Sequence, residues 1–331
     1  MNRRRFLTTL GAASLMKMPS LARAEADHEA ASDQSDEIPL RVAGIRMVPV
    51  RSGKYKVWTK KVGRGRVKVL LLHGGPGMSH EYLEAFESFL PEAGIEYFYY
   101  DQLGCNNSDQ PSDPGLWTLE GYLQEVEEVR QALGLDSFVL YGHSWGGILA
   151  IEYALRYPQR LRALVISNMA AGMKSYLARL NWWRKQLPTD VQTSLDAFDK
   201  TADYSSPAYA ELMMKQVYPR AICRLDPWPE PVMRTFRHAN EQIYVQMQGP
   251  SEFLMTGNLE DWDRWADLSR ITVKTLTVGS CYDEMDPSDM EKMAKLIPHG
   301  TYAYCPNGSH LCMWDDQANY FRHLLAFLRT V

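Results

Sequence analysis

A serine flanked by glycines, Gly142-His143-Ser144-Trp145-Gly146, stands where the apolar run Phe138-Val139-Leu140-Tyr141 gives way to a helix-like stretch beginning at Gly147. On a tight strand-to-helix turn the glycines let the backbone close and leave the serine hydroxyl exposed above the sheet, the arrangement of a nucleophile elbow. G-x-S-x-G also occurs by chance, so its weight depends on what else the chain supplies. A serine nucleophile needs a base, a group that orients the base, and donors for the oxyanion. On an open α/β sheet such groups lie just beyond the carboxyl ends of the strands.

Each late strand supplies one. Val69-Leu70-Leu71-Leu72 is followed by His73-Gly74-Gly75-Pro76-Gly77, whose backbone N–H groups face open space without side-chain obstruction. The amide of Gly75, with that of Trp145 next to the nucleophile, is the predicted oxyanion hole. Without an elbow elsewhere, the same segment reads as a plain Gly/Pro turn. Thr275-Leu276-Thr277-Val278 is followed by Gly279-Ser280-Cys281-Tyr282-Asp283-Glu284-Met285-Asp286. Asp283 is preferred to Asp286 as the orienting carboxylate, because Asp286-Pro287 reads as a helix start, and Glu284 is expected to alternate away from Asp283. Thr301-Tyr302-Ala303-Tyr304 is followed by Asn307-Gly308-Ser309-His310, a histidine on a loop before the last helix. His299 and His323 read as surface or satisfied core residues. The order Ser144, Asp283, His310 is that of a triad built on an elbow, and this chemistry needs no metal or cofactor.

The elements that must position these residues follow from pattern. Short β-branched and aromatic runs bounded by Gly, Pro and Asn occur at 46–50, 55–61, 67–72, 95–100, 137–141, 163–167, 275–278 and 301–304. Helical periodicity is carried by 82–90, 118–133, 148–157, 287–296 and 316–330. The alternation predicts an α/β protein with a mostly parallel eight-stranded sheet, the first two strands forming an antiparallel hairpin at its edge. It breaks off over 169–268, which is rich in Trp, Met, Tyr and Pro in helical patches, and resumes at Val273. We read 169–268 as a helical lid inserted after strand six, between core segments 40–168 and 269–331.

With 331 residues, 45% hydrophobic and 23% charged, the chain can bury a full core. A formal net charge of −4, with no Lys/Arg cluster among aromatics, argues against nucleic acid as a partner. Arg3-Arg4-Arg5-Phe6-Leu7, a weakly apolar run to Met16 and Ala22-Arg23-Ala24 together resemble a twin-arginine export signal over 1–24. The transport machinery would then be a transient partner and the destination periplasmic or secreted. The apolar run is too short to span a bilayer comfortably, which disfavours stable membrane insertion. Residues 25–39 are acidic and Ala/Ser-rich without apolar period, the composition of a disordered leader. The five cysteines form no C-x-x-C pair and suggest neither a disulfide framework nor a zinc site.

Taken together, His73-Gly74-Gly75-Pro76-Gly77, Asp101-Gln102-Leu103-Gly104-Cys105, the elbow, Tyr282-Asp283-Glu284 and Gly308-Ser309-His310 resemble the proline iminopeptidase family of α/β-hydrolases. Met78-Ser79-His80 and Gly249-Pro250-Ser251-Glu252-Phe253 bring the chain nearer the tricorn-interacting aminopeptidase branch. One departure is Cys105-Asn106-Asn107-Ser108, which lacks the glycine usual there and leaves the local turn to be determined. The resemblance implies an α/β-hydrolase fold and a serine exopeptidase that releases an N-terminal residue, proline or another apolar one, from short peptides or amino-acid amides. It also implies acidic lid residues that receive the substrate's amino end. Glu252 falls on the matching position, with Asp226 and Glu241 as candidates for a second carboxylate, and Trp228, Tyr244 and Phe253 as candidates for the apolar lining. Two alternatives stay open: an amidase or esterase for small non-peptide acyl compounds, and a non-catalytic lidded binding protein. An epoxide hydrolase or dehalogenase would carry aspartate at the elbow.

Overall fold

Val67–Leu72 is an almost unbroken apolar run, and such a strand is stable only with both faces covered. In the computed structural model, which describes residues 43–331, it lies near the middle of one sheet. The strands are β1 (Ile45–Val50), β2 (Tyr55–Val62), β3 (Val67–Leu72), β4 (Ile95–Tyr100), β5 (Phe138–His143), β6 (Leu161–Ser167), β7 (Thr275–Ser280) and β8 (Gly300–Cys305), in the spatial order β1-β2-β4-β3-β5-β6-β7-β8. β1 and β2 pair antiparallel, as does β2 with β4; every later pairing is parallel. The export signal expected at 1–24, the leader at 25–39 and the first residues of the 40–168 segment lie outside the described residues.

Alternate residues of the central strands enter different cores. Leu70, Leu72, Phe138 and Leu140 pack on the face covered by helices α1 (Leu119–Ala132) and α2 (Trp145–Arg156). Val69, Leu71, Val139 and Tyr141 pack on the other, with Phe86 and the C-terminal residues Tyr320, Phe321 and Leu324. α1 starts where the Thr118 hydroxyl accepts from the Gly121 amide, and it places Glu120 in its first turn and Arg130 in its last, matching its dipole. The buried Leu149 and Ile151 of α2 each contribute roughly 1.5–3 kcal/mol by leaving water.

The chain leaves β6 for α3 (Met173–Gln186), α4 (Thr189–Thr201), α5 (Pro207–Leu212), α6 (Tyr218–Ala221), α7 (Glu230–Arg237) and α8 (Glu241–Met247), then re-enters the sheet at β7. It continues through α9 (Pro287–Leu296), β8, α10 (Cys312–Asp315) and α11 (Gln317–Leu328). This is the α/β-hydrolase fold, with its helical insertion after β6. No named strand lies between β6 and β7 among the described residues; Gly172 with Asp263 and Ser251 with Leu254 form isolated bridges.

Two elements differ from expectation. The helix expected at 82–90 is a 3-10 helix, Glu81–Ser88. Its first turn closes through Leu83 N–H to His80 O at 2.7 Å, while the Tyr82 amide is taken by the Thr235 hydroxyl of α7 at 2.9 Å. A lid side chain thus satisfies one of the N–H groups that the start of a helix leaves without an internal partner. The second difference is at the elbow: β5 runs on to His143 and α2 begins at Trp145, not Ile148.

Candidate active site

That junction is sharp because one residue makes the turn. Ser144 has φ 55° and ψ −126°, a backbone state of order 1–3 kcal/mol above the ordinary regions for a non-glycine residue. Closeness of the two elements holds it there: a Cβ on Gly146 would fall on the Leu72 carbonyl, and one on Gly142 on the Gly146 carbonyl. His143 and Trp145 are buried, whereas Ser144 is partly exposed and lines a cleft.

Gly75 and Trp145 line the same cleft, Trp145 as the first residue of α2. The loop carrying Gly75 is pinned to the elbow from two sides. On one side the Trp145 indole N–H donates to Gln102 Oε1 at 2.8 Å, and Gln102 Nε2 donates to the His73 carbonyl at 3.1 Å. On the other, Gly74 N–H donates to the Tyr82 hydroxyl at 2.7 Å, which lies 3.0 Å from His143 Nδ1. His143 Nε2 is 2.9 Å from the carbonyl of His310, which can only accept, so Nε2 carries the proton and Nδ1 accepts from Tyr82. Burial and the neighbouring His310 depress the His143 imidazole well below its ordinary value and keep it neutral. One chain of hydrogen bonds therefore joins the Gly75 loop, the elbow and the His310 loop.

His310 Nδ1 lies 2.8 Å from Asp283 Oδ1. Asp283, fully buried, also accepts from the Met285 amide at 3.0 Å and from Asn168 Nδ2 at 2.7 Å. Asn168 follows β6 directly and is itself held by Ser167 Oγ and Ser280 Oγ. The lid anchors the His310 loop: His310 N–H donates to Ala221 O and Leu311 N–H to Ile222 O, both at 2.8 Å. Asp286 instead caps α9, accepting from the Ser288 amide at 2.9 Å.

Above the elbow two carboxylates meet. Glu252 Oε1 accepts from the Tyr244 hydroxyl at 2.6 Å, and its Oε2 lies 3.0 Å from the Tyr176 hydroxyl. The same Tyr176 hydroxyl lies 2.9 Å from Glu284 Oε1, which is also 3.5 Å from His310 Nε2. Burial pushes the Glu284 carboxyl up, as do Glu252 and Asp283, against the pull of His310. Burial by itself would depress His310, but Glu284 and Asp283 outweigh it and raise the imidazole. Burial also holds the Tyr176 and Tyr244 hydroxyls far above their usual range, so both are donors. Ser144, His310, Glu252 and Glu284 all line one cleft of about 730 Å³, counting the space open to solvent. Met169, Met173 and Phe236 contribute apolar wall, and neither Lys nor Arg is among its lining residues.

Residues 68–317 match the family model for the alpha/beta hydrolase fold. The chain is 46% identical over 293 residues to a proline iminopeptidase of Chitinophaga pinensis, covering 86% of this chain and 98% of that one. It belongs to the proline iminopeptidase family of α/β-hydrolases. Among solved structures, VinJ matches with a TM-score of 0.81 at 33% identity, and a proline iminopeptidase of Mycobacterium smegmatis with 0.78 at 28%. Each comparison covers 86% of this chain and 98% of the other.

Within this family's site, several placements correct the sequence reading. Asp226 is exposed on the segment between α6 and α7, away from the cleft. Glu241 is exposed at the first turn of α8, where it complements the helix dipole. The second carboxylate of the cleft is Glu284, against the expectation that it points away from Asp283. Asp283 and Glu284 lie in the irregular loop after β7, where the two-residue alternation of a strand does not hold. Of the proposed aromatic lining, Tyr244 faces the cleft. Trp228 instead donates to Cys223 O and packs on Phe236, and Phe253 is buried beneath the Arg184 guanidinium. In the Cys105-Asn106-Asn107-Ser108 turn, Asn106 takes φ 37°, the left-handed region that asparagine tolerates better than most residues. Asn107 and Ser108 then bond Asp101, so the turn closes without the glycine. Asn168, Tyr176 and the His143 linkage were missed; position alone, directly after β6, could have flagged Asn168.

Proposed function

We infer that this chain is a serine aminopeptidase that releases N-terminal proline from peptides. The observation that carries the reading is one cleft holding a strained serine, an imidazole braced by a buried carboxylate, and a carboxylate pair placed for a cation. In this reading Ser144 attacks the carbonyl of the first residue and His310 takes its proton. Gly75 and Trp145 amides receive the oxyanion, and Asp283 orients and stabilises His310 as it charges. The proton returns to the leaving amine, and water then releases the acyl group by the same route in reverse. Glu252 and Glu284 hold the substrate's primary or secondary ammonium group, which sets the scissile bond one residue from the chain's start. Each charge-assisted hydrogen bond there contributes roughly 1.5–3 kcal/mol.

Glu252→Gln keeps the shape and removes the charge. It is expected to lower kcat/KM for prolinamide roughly 10- to 150-fold, the kinetic equivalent of that energy. N-acetylprolinamide carries no charge at its nitrogen, so the unmodified enzyme is expected to reject it and the variant to narrow the gap. Equal losses on both substrates would make Glu252 structural, and an original preference for the acetylated compound would indicate a general amidase or esterase.

We also propose that the protein reaches the periplasm through the twin-arginine route, supported by Arg3-Arg4-Arg5-Phe6-Leu7 and the Ala22-Arg23-Ala24 cleavage pattern. Replacing Arg3 and Arg4 by lysine is expected to retain the activity in the cytoplasmic fraction without changing it. Undiminished periplasmic activity in the variant would rule this route out.

A further inference from the structure

The cleft contains a proton count that its donors do not meet. The Tyr176 hydroxyl contacts Glu252 Oε2 at 3.0 Å and Glu284 Oε1 at 2.9 Å, and a hydroxyl has a single hydrogen to give. If Tyr176 donates to one carboxylate, its oxygen can only accept from the other, so that other carboxyl must carry a hydrogen. Two ionised carboxylates would leave one of the two contacts as a repulsion between lone pairs, in a site where screening by water is weak.

We propose that the ligand-free Glu252–Tyr176–Glu284 bridge holds one exchangeable proton, and that the substrate's charged amino end enters by displacing it into solvent. The inference rests on the reading that this pair receives the amino end. Burial and the carboxylates facing the bridge favour retention of a positive charge until a cation replaces it, against the pull of His310. From the sheet edge come Asp283, His310 and Glu284 itself; from the lid come Glu252 and the hydroxyls of Tyr176, Tyr244 and Tyr218. His143 packs on the His310 ring and is neutral. The nearby cation Arg179 is turned to the backbone carbonyls of Cys281 and Asp283 and to the Asp286 carboxylate. The upward shift of both Glu284 and His310 agrees with a proton shared in this neighbourhood, which titrates as a unit.

The test is calorimetric binding of L-prolinamide to the full chain carrying Ser144→Ala, in buffers of different ionisation enthalpy. Below about pH 7 the ligand amine is charged, since α-amino groups titrate near 8. About one proton is expected to be released per prolinamide bound, and Kd is expected to tighten about tenfold per pH unit between about pH 6 and 7. Adding Glu284→Gln supplies an N–H in place of the proton, so release is expected to fall close to zero and the pH dependence of Kd to flatten. Prolinamide binding without proton release in the Ser144→Ala protein overturns the proposal by itself, whether or not the double variant folds. Undiminished release after Glu284→Gln also overturns it. If N-acetylprolinamide binds as tightly as prolinamide, or prolinamide does not bind at all, the amino-end reading fails and the proposal with it.

Discussion

Ser144→Ala is expected to leave a folded protein whose hydrolysis of prolinamide has fallen by on the order of 10⁴ or more, the loss that follows removal of a triad member. The fold should survive, because the turn is imposed by the approach of α2 to β3 and β5, and the Ser144 side chain is not what holds them together. Alanine at φ 55° meets the same backbone penalty as serine. His310→Ala is expected to cost a similar factor. The two losses should not add in the double variant, since neither group acts without the other. A Ser144→Ala protein that keeps more than about a tenth of the original kcat would exclude a serine acyl-enzyme, given the 10⁴ scale expected.

Asp283→Asn is expected to reduce kcat by about 10⁴ while KM changes little. The reason lies in the three donors that converge on this carboxylate: His310 Nδ1–H, the Met285 amide and Asn168 Nδ2. An amide has one accepting oxygen, so it cannot serve both sides. If its oxygen faces His310, its NH₂ opposes the NH₂ of Asn168; if it is flipped, its NH₂ faces His310 and selects the tautomer that cannot take the serine proton from the correct nitrogen. Asp286→Asn is the control. Asparagine is as good an N-cap as aspartate, and Asp286 is partly exposed, so kcat should be unchanged and melting barely moved. Loss of activity in Asp286→Asn with an active Asp283→Asn would reverse the assignment. Melting curves recorded on both proteins separate a chemical defect from an unfolded one.

Much of this site was legible in the chain because it is encoded locally. The elbow needs two glycines within five residues, and both approach backbone so closely that no side chain fits. The position of Asp283 follows from an apolar run that is a buried strand, and that of His310 from a β-branched and aromatic run that forms the edge strand β8, since functional groups on a parallel sheet emerge where the strands end. The lid announced itself as an interruption of the strand–helix alternation, bounded by Ser167 and Thr275. Each of these readings uses only near neighbours in sequence.

What tertiary structure alone decided is which side chains meet across long separations. Tyr176 and Glu284 are 108 residues apart and Asn168 and Asp283 are 115 apart, and no local periodicity relates such positions. The alternation of a strand does not carry into the irregular loop that holds Glu284, and composition cannot say which face of a lid segment turns towards the sheet, as Asp226 and Glu241 show. The sequence by itself thus located the proposed nucleophile Ser144, the proposed base His310, the proposed orienting carboxylate Asp283 and the strand ends that carry them. Packing of the lid on the sheet determined the second amino-end carboxylate, the tyrosine between the pair and the hydrogen-bond chain through His143. Local backbone preference and burial act over a few residues, whereas a binding pocket is assembled from contacts that exist only after the chain has folded back on itself.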